Sequence, residues 1–275
     1  MRPVSSWFVP DLALVAAAVT LFYSLFLFQG YTRFFRDSDA GWHIRIGEAI
    51  RASGEFPRTD PYSFSRPGQP WFAWEWLSDV VTGAIHGAAG LRGVALFYGV
   101  MIALGVWLWF QLHWALGGNF LLACAMAPLL LSTCNIHWLA RPHVESWALL
   151  LVAMLYLETR GRASVIPQLP AAAHSQTHFA WPDALAVAAF TALWANLHGS
   201  FFFAPLLALL YALRGRLSWW LVALAAAAPL ANPYGWHLYQ HVYRYLTDSE
   251  LLSRIGEFQS FDFHTPGSAQ ILATV

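Results

Sequence analysis

From Gly93 to Ala140 the chain contains no Asp, Glu, Lys or Arg, and that single run leaves it few ways to fold. A helix crossing the hydrocarbon core of a bilayer needs about 20 residues, so the run has room for two spans. Gly117-Gly118-Asn119 supplies the turn between them, giving a second span at Val94 to Leu116 and a third at Phe120 to about Leu139. Hydrophobic residues make up 58% of the 275 and charged residues 11%, which excludes an ordinary soluble domain and points to the membrane class. The net charge is zero and every basic residue is Arg, so no nucleic-acid surface is expected. Cys124 and Cys134 fall in one apolar segment and read as buried free thiols, not a disulfide framework. Fifteen Trp and ten Tyr suit two interfacial aromatic belts.

The first apolar run, Leu12 to Phe28, is longer than a signal-peptide core, and no small-residue cleavage site follows it in QGYTRFF. It reads as a retained first transmembrane helix, N-capped by Asp11 and ending near Gly30. A fourth span opens at Pro142 and runs to Leu157. Asp183 to Arg214 reads as two short helices around the break Asn196-Leu197-His198-Gly199-Ser200, and Leu217 to Ala231 as a seventh span. The segment NPYGWHLYQHVYRYL looks interfacial. Ala269 to Val275 reads as the opening of an eighth helix, so residues 1–275 are expected to form one domain that is incomplete at its C-terminus. The fold expected is an all-α membrane protein, a polytopic bundle of about seven transmembrane helices.

Between the first two spans lies a polar loop, residues 31–92, with seven Arg and seven acids. Inside it, Asp39 is placed to cap a helix from Ala40 to about Ser53, with Trp42, Ile46, Ala49 and Ile50 as its apolar stripe and Gly54 as its stop. A second amphipathic helix runs from Trp74 to Ala89 on Leu77, Val80, Val81, Ala84, Ile85 and Ala88. Both would lie on the membrane surface. With Arg2 inside, Arg160, Arg162, Arg214 and Arg216 all fall in the cytoplasm. The long loop, His137 to Glu145, Asn196 to Ser200 and Asn232 to His241 then share the opposite face.

Ionisable groups so near a bilayer are functional-site candidates. Asp37 and Asp39 lie two residues apart, with His43 one turn further on; such a set can hold a divalent cation, or divide the work of a general base. Asp39 is equally readable as a plain helix cap, which leaves Asp37 the preferred base. Glu75 is a second acid, set between Trp74 and Trp76 in WFAWEWLSD. Aromatic faces there suit the apolar side of a sugar ring, and suit an interfacial belt at least as well. Arg141 and His143 can receive a phosphate, or Arg141 can snorkel and pair with Glu145. Asn196, His198, Asn232 and Tyr234 would complete a polar ring, although each alone is more often a helix-end satisfier. Seven outer-face histidines keep a metal open, but no motif spacing makes one specific.

The string DSDAGWHIRIGEAIRASGEFPRTDPYSFSRPGQPWFAWEWLSD, an acidic pair just after the first span, and the shorter WLARPHVESWALL, WANLHGSF and ANPYGWHLY resemble bacterial polytopic glycosyltransferases of the GT-C type. The nearest likeness is to the branch with a dolichyl-phosphate-mannose-protein mannosyltransferase-like, or RgtA/B/C/D-like, domain. The resemblance covers Asp37 to His237. It implies a multi-pass protein of the bacterial inner membrane, a polyprenyl-phosphate sugar donor, and transfer to a glycan, lipid or protein acceptor on the periplasmic face. It also implies a first-loop acid, Asp37 or Asp39, as base, and probable inversion at the anomeric carbon is the expected stereochemistry of a single displacement. A divalent metal is compatible with that chemistry and not required by it. A lipid or solute transporter, or a non-catalytic partner of the same architecture, is the alternative.

Overall fold

Every regular element among the described residues of the computed structural model is helical; these residues are 11–162, 181–259, 262, 264 and 268–274. Arg2 and most of the polar loop expected at 161–182 lie outside them. The helices are α1 (Leu12–Phe26), α2 (Asp39–Ser53), α3 (Trp76–Ala115), α4 (Phe120–Cys134), α5 (His143–Arg162), α6 (Trp181–Leu197), α7 (Phe203–Leu213), α8 (Trp219–Ala227), α9 (Trp236–Thr247), α10 (Ser249–Arg254) and α11 (Ser268–Thr274). Two stretches, Trp76–Ala115 and Phe120–His137, are long and apolar enough to cross a membrane, while Leu12–Phe26, Gly199–Leu213 and Trp219–Leu230 are apolar but shorter.

Asp11 does cap α1, its Oδ1 accepting the Leu14 N–H at 3.0 Å. The residues α1 buries are Ala13, Ala17, Thr20 and Ser24, while Val15, Val19, Phe22 and Phe26 are exposed. Small and weakly polar side chains inward with large apolar ones outward is the pattern of a helix solvated by lipid, where close backbone approach drives packing. The part of α3 before Gly90 is similar: its apolar stripe, Leu77, Val80 and Val81, is left partly exposed, while Ser78, Asp79, Thr82 and Gly83 are buried and pack on α2. Beyond Gly90 the helix buries large apolar side chains instead, among them Val94, Tyr98, Ile102 and Phe110.

Gly47 of α2 and Gly83 of α3 make that crossing. A Cβ on Gly47 would stand 1.7 Å from the Asp79 carbonyl oxygen, and one on Gly83 would stand 2.6 Å from the Glu48 nitrogen. Backbones this close leave no room for a methyl group. Consequently α2 buries Ala40, His43, Ile44, Ile46, Gly47 and Ile50, whereas Ala49, expected in the stripe, is exposed. Gly54 ends α2 as expected, at φ 72° with its N–H on the Ile50 carbonyl. The two helices expected at 74–89 and 94–116 follow one another directly within α3, and Gly90, at φ 63° and ψ −163°, is the non-helical joint between them.

Charged residues gather at the two ends of α5. At its C-terminal end Arg160 and the Tyr156 hydroxyl both meet Asp183 (2.9 and 2.6 Å), and Arg216 forks onto Glu158 (3.1 and 3.2 Å). Twenty helical residues put roughly 30 Å between that end and His143. Cys124 and Cys134 are free thiols, as expected, but exposed and not buried, because α4 turns most of its surface outward.

Candidate functional site

The loop before α2 and the turn before α5 are joined by a backbone bond, Ala140 N–H to the Phe34 carbonyl at 2.9 Å. This contact sets Arg141 over the start of α2. Its Nη1 donates to Asp37 Oδ2 at 2.7 Å and its Nη2 meets Asp39 Oδ2 at 2.9 Å, one planar fork holding two carboxylates. Asp37 also accepts the Asp39 N–H at 2.8 Å. The capping role expected of Asp39 falls to its neighbour: Asp39 is the first residue of α2, and Asp37 satisfies the backbone there. Glu145, the other partner considered for Arg141, is buried and accepts the Ser78 hydroxyl at 2.6 Å.

Below the fork a row of buried ionisable groups runs across three elements. His43 Nδ1 and Asp79 Oδ1 share a hydrogen bond of 2.6 Å, and the His43 Nε2 faces Glu75 Oε2 at 3.7 Å. The other Glu75 oxygen lies 3.2 Å from His198 Nε2. The Ser200 N–H donates to His198 Nδ1 at 3.1 Å, which fixes the His198 proton on Nε2, aimed at Glu75. Glu75 is 7% exposed and His43 1%. Burial drives Glu75 up to about 7, because water no longer solvates its charge; Asp79 adds to the rise, and His43, Arg141 and the Gly199 backbone N–H oppose it. Burial also holds His43 down at about 4, with Glu75 opposing, and His198 at about 3, where His143, His43 and Arg141 add to it. Near neutral pH both imidazoles are uncharged, and Glu75 is poised between its two forms.

These groups open into one cavity of about 980 Å³, at the upper end of the range for small-molecule sites. Asp39, His43, Glu75, Arg141, His143 and His198 all line it. Asp37 lies on an adjoining open depression with Arg33 and Arg36. His143 is turned by an Nε2–H bond to the His137 carbonyl at 2.8 Å. Trp74 lines the cavity too, within an aromatic row in which Tyr234 stacks on Phe72 (3.9 Å), Phe72 on His241 (4.3 Å), and Trp74 meets His241 edge-on (4.8 Å).

Four residues expected to touch substrate lie behind this wall and brace it. Trp76 donates its indole N–H to Asn196 at 2.7 Å, and Asn196 donates to the carbonyls of Ala192 and Ala231. Asn232 closes its own turn, donating to the carbonyls of Pro229 and Gly235 and accepting the Tyr234 N–H. The Tyr234 hydroxyl accepts the Ala73 N–H at 3.0 Å. The metal set considered for Asp37, Asp39 and His43 is not assembled, since the aspartates face Arg141 and His43 faces Asp79 and Glu75. Among the described residues no group of three or more His, Cys, Asp or Glu could hold a metal ion.

Sequence reasoning passed over Asp79, although it follows Glu75 by one helical turn and begins the polar stripe of α3. It also passed over Arg244, on the α9 wall of the same cavity.

No protein-family model matches the chain, and no curated protein or solved structure matches it either.

Proposed function

We propose that the chain is an integral membrane glycosyltransferase, moving a sugar from a polyprenyl-phosphate donor to an acceptor on the non-cytoplasmic face. Its scaffold would be a bundle of about seven spans, as the likeness to GT-C-type enzymes implies. The observation that carries the reading is the meeting of Asp39, Glu75, Arg141, His143 and His198, drawn from separate segments of a mostly apolar chain, in one aromatic-walled cavity. Scarce ionisable groups in such a chain are costly unless function retains them. The roughly 30 Å between this cluster and the charged end of α5 matches a hydrocarbon core.

In the reaction the acceptor hydroxyl oxygen attacks the anomeric carbon. The bond from that carbon to the phosphate oxygen breaks, its electron pair leaves with the lipid phosphate, and the hydroxyl proton passes to a carboxylate on the wall. One displacement inverts the anomeric centre. Arg141, with His143 beside it, supplies positive charge for the departing phosphate. No step is routed through a metal.

The test is transfer by the full-length protein in nanodiscs offered a panel of polyprenyl-phosphate sugars. Donor-dependent transfer that falls about a hundredfold in Arg141→Lys supports the reading. Absence of both binding and transfer across the panel overturns it, and movement of intact lipid between leaflets would favour a flippase instead.

A further inference from the structure

We propose that Asp79, His43 and Glu75 form a proton relay, in which Glu75 takes the acceptor's proton at the cavity wall and Asp79 acts through His43 as a positioning residue. The inference rests on the reading above and assigns the base within it.

Three geometric facts carry it. First, the acids nearest the helix start are committed: an oxygen of Asp37 and one of Asp39 are turned onto the Arg141 guanidinium at 2.7 and 2.9 Å. Glu75 instead has imidazoles on both sides and an oxygen on the cavity. Second, the imidazoles are oriented toward Glu75 from both sides. His198 points Nε2–H at it, because its Nδ1 accepts the Ser200 N–H; His43 is held at Nδ1 by Asp79, so its Nε2 is the ring nitrogen that faces the carboxyl group. One neighbour thus donates to Glu75, and the other exchanges a proton with it when His43 carries its own on Nδ1. Third, the His43 and Glu75 atoms are 3.7 Å apart, so a shift of about 1 Å brings them into hydrogen-bond range.

The proton count closes. The Glu75 carboxylate takes the hydroxyl proton as the new glycosidic bond forms and the phosphate departs. The resulting acid shares its proton with Nε2 of His43, whose Nδ1 is held by Asp79 at 2.6 Å, so that the proton is never lodged on an isolated group. Release of that proton to water in the cavity resets the row. The charged and titratable groups facing it are Arg141 on the turn before α5, Asp37 and Asp39 at the start of α2, His143 and Glu145 on α5, and His198 before α7. The burial that moves Glu75 toward neutrality is what a base used near pH 7 requires.

The experiment is an infrared pH titration of carboxyl stretching bands, on the full chain in nanodiscs, run beside the transfer assay. A protonated-carboxyl component titrating near neutral pH in the wild type, lost in Glu75→Gln and kept in Glu145→Gln, is the expected result. Asp79→Asn removes a negative charge that favours protonated Glu75, so its midpoint should fall by roughly one pH unit, with Asp79→Glu restoring it. In transfer, Glu75→Gln should lose about 10²- to 10⁴-fold in kcat with donor binding kept. Asp79→Asn should lower kcat at unchanged KM and shift the pH profile with the band. A band unchanged in Glu75→Gln, or full transfer by that variant, overturns the relay. If the bands behave as expected while the wild type transfers no sugar from any donor, the relay stands and the glycosyl-transfer reading falls.

Discussion

Asp79 reaches His43 at 2.6 Å across 36 residues of sequence, at a crossing where the backbone of Gly47 lies against the Asp79 carbonyl. The ionisable row depends on how closely two helices are allowed to approach, which makes the glycines as consequential as the acids.

Gly47→Ala should therefore destabilise the protein by roughly 1–3 kcal/mol, the usual range for overpacking a tight contact, or prevent folding. Gly41 lies on the same helix with no atom within 4 Å of an added Cβ. Gly41→Ala should be neutral or stabilising by roughly 0.5–1 kcal/mol. Thermal unfolding in detergent compares the two.

Stability should depend on pH in two opposed ways. His43 and His198 have folded values of about 4 and 3, below the usual imidazole value of 6.5, so the unfolded chain binds their protons more readily and stability rises with pH up to about 6.5. Glu75 is raised from 4.5 to about 7, so the folded chain binds its proton more tightly, and stability falls as pH climbs through that window and then levels off. Glu75→Gln removes the second trend. Its unfolding midpoint at pH 8 should match or exceed that of the wild type, by on the order of 1–3 kcal/mol.

Arg141→Gln would leave two carboxylates facing each other with no cation between them. A loss of about a hundredfold in transfer is expected, together with a stability that recovers in the double variant Arg141→Gln with Asp39→Asn. A double-mutant cycle on unfolding midpoints measures the coupling.

Asn196→Ala strands the Trp76 indole N–H and the Ala231 carbonyl, and Tyr234→Phe strands the Ala73 N–H. Each should cost about 1–3 kcal/mol of stability. Donor affinity in the folded fraction, read by titration of a fluorescent polyprenyl phosphate, should stay unchanged, since neither side chain lines the cavity.

Much of the helix plan is legible in the residues themselves. The Asp11 cap, the Gly54 stop, the break at His198 and the extent of α2 and α4 all follow from local signals. What the residues did not disclose is which face of α3 is buried. Periodicity marks the apolar stripe of Leu77, Val80 and Val81, and following that stripe passes over the opposite face, Ser78, Asp79 and Thr82, which is the buried one. The shared partner of Asp37 and Asp39 escaped the sequence for a related reason. Spacing along the chain shows that both stand at a helix start, but only the bond from Ala140 to Phe34 brings Arg141 there, 104 residues on from Asp37. Asn196, Asn232 and Tyr234 looked like ligands because polar residues at helix breaks do, and their partners are backbone groups that no side-chain pattern records.

The bend at Gly90 makes the segment carrying Asp79 and the apolar segment beyond it two arms of one elbow. Where the far arm crosses a bilayer, its tilt answers to the thickness of the surrounding hydrocarbon. Gly90 is then the joint that decides whether such a tilt would reach Asp79 and His43 or be taken up before it does.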